Sequence, residues 1–231
     1  MTIDAPTRSP ETAVPGWHRR TWGGIRLLAV ALVVASIATQ ITEQVADGSF
    51  DPSQYFVYFT IQSSLMNIVV LGAAAVLAFM VARDSEFFTA VRMCIVVYGV
   101  ITGAVYNLLL RGIQSNGFVG EWWPNEVIHV VIPIYLVVDW VVAPGRARLR
   151  FGWLALAISY PLLWVAATLV RAEVDGWVPY PFVDVDGPDG VSGVVLSVVQ
   201  IALAIVGLAV AAILVSRVGA AGARPRVERS A

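Results

Sequence analysis

The polar side chains inside long apolar runs are the residues of this sequence best suited to chemistry, because polar groups are costly in a membrane and are functional candidates by default. Ser63, Ser64 and Asn67 follow Thr60 at spacings of three, four and seven residues, which places all of them along one helical face. A threonine or serine hydroxyl becomes a nucleophile when an adjacent base removes its proton. This stripe therefore predicts covalent catalysis where a general base lies beside it.

His129 is the base that the sequence offers, because the other histidine, His18, precedes the first apolar run. Pro133, four residues after His129, removes the backbone N–H that would bond the His129 carbonyl and predicts a kink. At a helical rise of about 1.5 Å per residue, Thr60 and His129 are predicted to lie about 6 to 8 Å below one membrane surface. Taken alone, each residue has a structural interpretation. A threonine hydroxyl in a membrane helix usually bonds to a backbone carbonyl of its own helix, and a lone histidine usually packs in the core. The shared depth favours a nucleophile and general base pair.

A third predicted helix brings more polar groups to the same level and ends near Arg111. A hydroxyl nucleophile also needs hydrogen-bond donors for the developing oxyanion and a group that orients the imidazole. No orienting carboxylate is obvious for His129, and Glu126, three residues before it, is the one candidate. The candidates for substrate binding or oxyanion stabilisation are Ser63, Ser64, Asn67, Tyr106, Asn107 and Glu126.

The elements that position these residues are apolar. Of 231 residues, 58% are hydrophobic and 13% are charged. Six apolar runs reach the roughly 20 helical residues needed to cross a bilayer core. They cover residues 23–41, 55–81, 87–110, 125–142, 151–170 and 191–215. The predicted fold class is all-α, an integral membrane bundle of six transmembrane helices over residues 23–216, with a disordered tail at 1–22 and a second tail at 217–231.

Arginine distribution predicts the orientation of this bundle. Thirteen arginines fall on one side of the predicted helices, and only Arg111 and Arg171 fall on the other. Because the arginine-rich side of a membrane protein faces the cytoplasm, both termini are predicted to be cytoplasmic. The chain is then a multi-pass protein of the cell membrane, and the Thr60 and His129 site lies in the outer half of the bilayer.

Composition excludes several other classes of function. The net charge of −1 argues against a nucleic-acid partner, which needs a clustered basic surface. Cys94 is the one cysteine, and no His/Asp/Glu cluster or glycine-rich phosphate loop is present, so neither a metal nor a cofactor is predicted. Asp139 is predicted to form a structural ion pair near Arg146 and Arg148. The expected partners are membrane lipids and an amphiphilic lipid ester.

Three segments resemble the androgen-induced membrane proteins and their bacterial relatives. The resemblance covers most of the chain from the first predicted helix to the last. Its motifs are Tyr58-Phe59-Thr60-Ile61-Gln62-Ser63-Ser64, His129-x-x-x-Pro133 followed by Asp139-Trp140, and Tyr180-Pro181-Phe182-Val183-Asp184. Bacterial relatives often carry Asn where this chain has Ser64, with Asn67 one turn further on.

The resemblance implies a threonine-dependent hydrolase of fatty acid esters of hydroxy fatty acids, with Thr60 as the nucleophile and His129 as the base. An intramembrane lipid-ester hydrolase is therefore the leading hypothesis for the function. A small transporter or a lipid- or ligand-binding membrane protein would use the same polar pocket without catalysis, although no inverted repeat is visible. The third alternative is a structural partner subunit without a site of its own. It would not explain why polar residues of three predicted helices lie at the same depth.

The predicted orientation can be tested by the accessibility of introduced cysteines. In a Cys94→Ser background, Gly187→Cys should react with a membrane-impermeant thiol reagent in intact cells, and Ala147→Cys should react only after lysis. These positions lie in loops on opposite sides of the arginine asymmetry. The reverse labelling pattern would place the site in the cytoplasmic half of the membrane.

Overall fold

A computed structural model describes residues 14–112 and 120–218, and the ordered elements in these ranges are helical. Two five-residue π-helical turns, Tyr106–Leu110 and Val127–Val131, extend α4 and join α5 to α6. Short 3₁₀ turns cover Phe151–Trp153 and Pro181–Val183. The α-helices are α1 (Trp17–Asp47), α2 (Pro52–Tyr55), α3 (Phe59–Met80), α4 (Glu86–Val105), α5 (Trp122–Glu126), α6 (Ile132–Val142), α7 (Leu154–Asp175) and α8 (Gly190–Val218).

Six helical stretches within the described ranges are long and apolar enough to cross a membrane, which confirms the predicted fold class. The stretches are α1, α3, α4 with its π turn, α5 to α6, α7 with its 3₁₀ turn, and α8. Exposed leucines on their outer faces, such as Leu28 at 71% and Leu163 at 69%, agree with a surface that contacts lipid.

Several helix boundaries differ from the predicted ones. α1 already begins at Trp17, so residues 17–22, assigned to a disordered tail, are helical. The apolar run at 55–81 is interrupted at its start, where α2 ends at Tyr55 and α3 begins only at Phe59. The fourth stretch begins at Trp122 rather than at residue 125. The rest of both predicted tails, residues 1–13 and 219–231, lies outside the described residues.

α4 is the central helix of the bundle. It packs against α3, α6, α7 and α8. In an apolar segment of 18 residues of this stretch, 56% of the residues are buried, compared with 17% in the corresponding segment of the stretch that contains α7. Glycine and alanine let neighbours approach closely, because a Cβ atom on Gly99 would lie 2.4 Å from Cδ1 of Leu136 in α6. The helix that carries Tyr106 and Asn107 is therefore held from all sides.

A network of five buried charges fastens one end of the bundle, which we call the network end. Arg92 of α4 lies between two carboxylates, with Nη1 2.7 Å from Asp84 Oδ2 and Nη2 2.6 Å from Asp139 Oδ2. Arg26 of α1 donates to Asp139 at 2.9 Å, and Arg19 of α1 pairs with Asp84. All five side chains are nearly inaccessible to solvent. The network joins α1, α4, α6 and the connection between α3 and α4.

The ion pair predicted for Asp139 is present, but its predicted partners are wrong. Asp139 pairs with Arg26 and Arg92, which come from other helices. Arg146 instead donates to the backbone carbonyls of Trp140 at 2.6 Å and Ala143 at 3.3 Å, where α6 ends. The last carbonyls of a helix lack partners within the helix, and an arginine near the carboxyl end satisfies them.

Gly145 is required by the same network. Its φ of 97° lies in the left-handed region, and a Cβ atom there would lie 1.8 Å from Nη1 of Arg19. Arg19 Nη1 donates to the Pro144 carbonyl at 3.0 Å, and the backbone N–H of Asp84 donates to the Gly145 carbonyl at 2.8 Å. The loop after α6 is thereby tied to α1 and to the loop before α4.

Asp139→Asn should destabilise the bundle strongly, because it leaves the buried Arg26 without its carboxylate partner and Arg92 with Asp84 alone. Removing one partner of a buried ion pair costs about 3 to 5 kcal/mol. The measurement is thermal unfolding in a neutral detergent, followed by circular dichroism. Glu173→Gln, which neutralises an exposed carboxylate, is the control and should leave the unfolding temperature unchanged. Equal unfolding temperatures for the two variants would contradict the structural role of the network.

Candidate functional site

A cavity of about 510 Å³ opens at the end of the bundle opposite the charge network, which we call the cavity end. Its wall is formed by residues of α1, α2, α3, α5 and the segment 177–184. Thr60 and His129 both line this cavity, although they belong to different helical stretches. Tyr106 is the one member of the oxyanion and substrate-binding candidates that joins them in the wall.

Thr60 lies in the first turn of α3, directly after the break that follows α2. The first backbone N–H groups of a helix have no partner within the helix, and the residue before α3, Tyr58, provides no side-chain cap. The hydroxyl of Tyr180 takes this role: it accepts the Thr60 N–H at 3.3 Å and lies 3.3 Å from Thr60 Oγ1. Thr60 is thus at the positive end of a 22-residue helix, beside a phenol.

Aromatic and amide side chains hold the corner between α2 and α3 in place. Trp164 of α7 donates from Nε1 to the Val57 carbonyl at 2.8 Å, and Gln62 donates from Nε2 to the Phe56 carbonyl at 2.8 Å. The hydroxyl of Tyr160 bonds to Oε1 of Gln62. The interruption between α2 and α3 is therefore held by specific hydrogen bonds. Because of it, Thr60 lies in the first turn of a helix.

His129 lies in the π turn between α5 and α6 and is buried, with 8% of its surface exposed. Its Nδ1 lies 2.9 Å from the Asn125 carbonyl oxygen. A carbonyl can only accept, so Nδ1 carries a proton, and the neutral ring has its lone pair on Nε2. The ring stacks on Tyr106 with centroids 3.8 Å apart and planes inclined by 14°. This is the tautomer and the restraint that a general base needs.

Thr60 and His129 form no hydrogen bond with each other in the part of the chain that the structure describes. Both residues line the same cavity. Catalytic hydrogen bonds are often long without a substrate and tighten when it binds. Proton transfer between the two residues requires such closure or a bridging water.

Pro133 frees the His129 carbonyl, and Asn107 uses it. Nδ2 of Asn107 donates to the His129 carbonyl at 3.1 Å and to the Gly103 carbonyl at 2.7 Å. A Cβ atom on Gly103 would lie 2.8 Å from the His129 carbonyl oxygen and from Pro133 Cγ. Asn107 therefore joins α4 to the turn that carries His129, and its amide donors are already occupied.

Glu126 does not orient the imidazole as predicted. Both of its carboxylate oxygens bind Arg111, at 2.6 and 3.1 Å. Arg111 in turn donates to Oδ1 of Asn107 at 2.9 and 2.7 Å. The group that orients His129 is the backbone carbonyl of Asn125, which lies one turn earlier. Sequence reasoning favoured the carboxylate because backbone carbonyls are available everywhere and give no signal.

The remaining candidates lie deeper in the bundle, outside the cavity wall. Ser63 donates to the Thr60 carbonyl at 3.0 Å and lies 3.4 Å from the hydroxyl of Thr102. Ser64 and Asn67 are buried, and Oδ1 of Asn67 has no hydrogen-bond partner among the described residues. The stripe predicted along α3 thus has one member in the cavity, Thr60, and three in the interior.

Tyr180 is the site residue that sequence reasoning missed. It was not among the candidates for binding or catalysis, yet it is 8% exposed and contacts Thr60 through two atoms. Burial raises the pKa of Tyr180 to about 12, so the hydroxyl keeps its proton at neutral pH and can donate it in a hydrogen bond. Its place in the Tyr-Pro-Phe motif after α7 was the available signal.

A second, apolar crevice of about 80 Å³ adjoins the cavity between α4, α7 and α8. It is lined mainly by aliphatic and aromatic side chains, such as Val165, Val198 and Ile201. Thr60, Leu110 and Tyr180 belong to the walls of both spaces. The Thr60 hydroxyl therefore lies where a polar space meets an apolar one. The described residues contain no cluster of metal-ligating side chains.

Gly103→Ala should displace the turn that carries His129, because the added methyl group has no space between α4 and the His129 carbonyl. Overpacking of this kind costs about 1 to 3 kcal/mol. Gly72→Ala in α3 is the matched control, since a Cβ atom there meets nothing within 4 Å. The unfolding temperature in detergent should fall for the Gly103 variant and stay unchanged for the Gly72 variant. An unchanged unfolding temperature would mean that the close approach is unimportant.

No family model, no curated protein and no solved structure matches this chain.

Proposed function

We propose that this protein is an intramembrane lipid-ester hydrolase in which Thr60 is the nucleophile and His129 is the general base. The observation that carries the proposal is the shared cavity: a hydroxyl at a helix amino terminus and an imidazole with its lone pair on Nε2 line one space. The resemblance to the androgen-induced membrane proteins points to the same two residues. In the orientation predicted from the arginines, the site lies in the outer half of the cell membrane.

The reaction would proceed in two half-reactions. His129 Nε2 takes the proton of Thr60 Oγ1 as that oxygen attacks the ester carbonyl carbon. The tetrahedral intermediate then collapses, and the departing alkoxide takes the proton from His129 to leave as the alcohol. Water then attacks the acyl-threonine and gives a proton to His129, which passes it to Thr60 Oγ1 as the fatty acid leaves.

Stabilisation of the oxyanion is assigned to the amino terminus of α3 and to Tyr180. First-turn N–H groups and the helix dipole favour negative charge at this position. The protonated hydroxyl of Tyr180 is a further donor beside Thr60 Oγ1. Asn107 and Ser63, which were candidates for this role, already donate to backbone carbonyls. Tyr106 remains a candidate because it lines the cavity, where it supports the His129 ring.

The apolar crevice supports a lipid as the substrate. An ester whose carbonyl lies at Thr60 can place the first carbons of one hydrocarbon chain in the crevice and its other part in the larger cavity. The crevice lies beside α7 and α8, whose outer faces are largely exposed. A chain from the surrounding bilayer therefore has a short lateral route to the site.

A ligand-binding membrane protein is the second candidate, and one observation favours it. Thr60 is bonded to Tyr180 rather than to His129, so the same cavity would hold a polar lipid without cleaving it. In that case the Thr60 hydroxyl would bind the ligand, while its backbone N–H is capped by Tyr180. Direct measurement of hydrolysis distinguishes the two candidates.

Thr60→Ala and His129→Ala should each lower lipid-ester hydrolysis by about 100-fold or more, since general base catalysis alone contributes this much. Because the residues act as a unit, the double variant should be no worse than either single one. The measurement is hydrolysis of a long-chain ester by purified protein in neutral detergent, together with labelling by a fluorophosphonate. Thr168→Ala removes a buried hydroxyl of α7 that lines neither space, and it should retain activity.

Substantial hydrolysis by the Thr60→Ala variant would eliminate Thr60 as the nucleophile. Binding of a lipid ester without turnover, equally tight in wild type and in Thr60→Ala, would replace the hydrolase by the binding protein.

A further inference from the structure

The wall of the larger cavity carries charge of one sign. Four of its residues are acidic, namely Glu43, Asp51, Glu121 and Asp184. No arginine or lysine belongs to the wall as the described residues form it. A cavity lined by one sign of charge and backed by low-dielectric protein concentrates the field and repels ligands of that sign. The four carboxylates therefore bear directly on what the cavity accepts.

Neither of the two arginines at this end of the molecule belongs to the cavity wall. Arg111 is committed to Glu126, with which it forms a bidentate pair. Arg171 pairs with Asp175 at 2.8 Å, donates to the Ser53 carbonyl at 2.5 Å and lies over the ring of Trp177. Each positive charge is thus balanced by an acid outside the wall. The sequence of residues 113–119 contributes no charge of either sign.

The cavity carboxylates have neutral hydrogen-bond partners. Asp51 accepts from the backbone N–H and the hydroxyl of Ser53 at 2.8 and 2.7 Å, and these bonds hold the pKa of Asp51 below its ordinary value. Asp184 accepts from the backbone N–H of Asp186 at 3.0 Å, and Glu43 from that of Glu121 at 3.2 Å. Within the described part of the chain none of the four belongs to an ion pair. Their negative charge is left to face the cavity.

The position of Thr60 connects this charge to substrate choice. Thr60 and Tyr180 stand at the junction of the apolar crevice and the acidic cavity. His129, which is 8% exposed, lines the acidic cavity and has no partner for Nε2 in the described structure. An ester bond at Thr60 with one chain directed to the crevice places the rest of the substrate in the larger cavity, whose wall carries the four carboxylates.

We infer that the part of the substrate held in the larger cavity is uncharged or cationic, and that this site discriminates against lipid esters with a free carboxylate there. The inference rests on the proposed hydrolase. It also departs from the substrate class that the resemblance implies, because fatty acid esters of hydroxy fatty acids carry a free carboxylate. Amide, hydroxyl and ammonium groups would find acceptors in the acids and in polar neighbours such as Gln40 and Asn125.

The test is a matched series of three esters with the same long acyl chain. Their alcohol portion ends in a carboxylate, a carboxamide or a trimethylammonium group. In neutral detergent at low ionic strength, kcat/KM for the carboxamide and ammonium esters should exceed that for the carboxylate ester by about tenfold or more. Because salt screens charges that are open to solvent, the difference should shrink at high ionic strength.

Variants of the wall separate the cavity from effects of the detergent. The double variant Asp51→Asn/Glu121→Gln should raise the ratio of kcat/KM for the carboxylate ester to kcat/KM for the carboxamide ester several-fold. Glu173→Gln removes an exposed charge outside the wall and should leave the ratio of the two as in wild type. Comparing ratios between variants cancels any difference in micelle partitioning of the substrates.

Cleavage of the carboxylate ester as fast as or faster than the carboxamide ester would overturn the charge inference and leave the hydrolase standing. Cleavage of none of the three would remove the hydrolase. Non-cleavable ether analogues with the same three end groups then test the charge preference through Kd. Equal or tighter binding of the carboxylate ether would overturn the inference in that case too.

Discussion

The buried network of Arg19, Arg26, Asp84, Arg92 and Asp139 is the interaction on which the rest of the bundle depends. Charges removed from water are tolerable only when each has its partner in place, so the segments that carry them must assemble together. Arg92 is the centre, because it joins both carboxylates from the most buried helix. The stretch that holds Arg92 ends in Tyr106 and Asn107, and the stretch that holds Asp139 begins near His129. Fixing the network end therefore fixes how these two stretches meet at the cavity end.

Two π turns adapt this rigid frame to the site. Tyr106–Leu110 and Val127–Val131 face each other at the cavity end, one on each of the two stretches. A π turn inserts an extra residue into a helix, rotates the side chains that follow, and is frequent at functional sites. Here the stacked rings of Tyr106 and His129 both arise from such turns. Asn107 bridges them through the carbonyl that Pro133 leaves free, so the imidazole is restrained without using Nε2.

In the part of the cavity wall formed by Thr60, one hydroxyl group makes two contacts. Tyr180 caps the amino terminus of α3 and also contacts Oγ1 of Thr60. The Thr60 N–H needs this phenol for two reasons. Tyr58 provides no side-chain cap, and α2 does not continue into α3 to supply a backbone carbonyl. The interruption of the helix between Tyr55 and Phe59 leaves the Thr60 N–H free to bond to this phenol of segment 177–184. The same segment contributes Asp184 to the acidic wall, so one loop contacts Thr60 and adds to the charge of the cavity.

The sequence by itself determined the six membrane-spanning stretches, because hydropathy and length are local properties that neighbouring helices do not alter. It also singled out Thr60 and His129, because polar groups in apolar runs stand out by type. What it left undecided were the partners. Asp139 pairs with Arg26 and Arg92 instead of the nearby Arg146, Glu126 pairs with Arg111 instead of His129, and Tyr180 reaches Thr60 across 120 residues. Each of these choices follows from the rotation and lateral order of helices, which only tertiary packing decides. The interruption before α3 was also left undecided by the sequence. The bonds that stabilise it come from Trp164 and Tyr180, which lie 107 and 120 residues further along the chain than their partners.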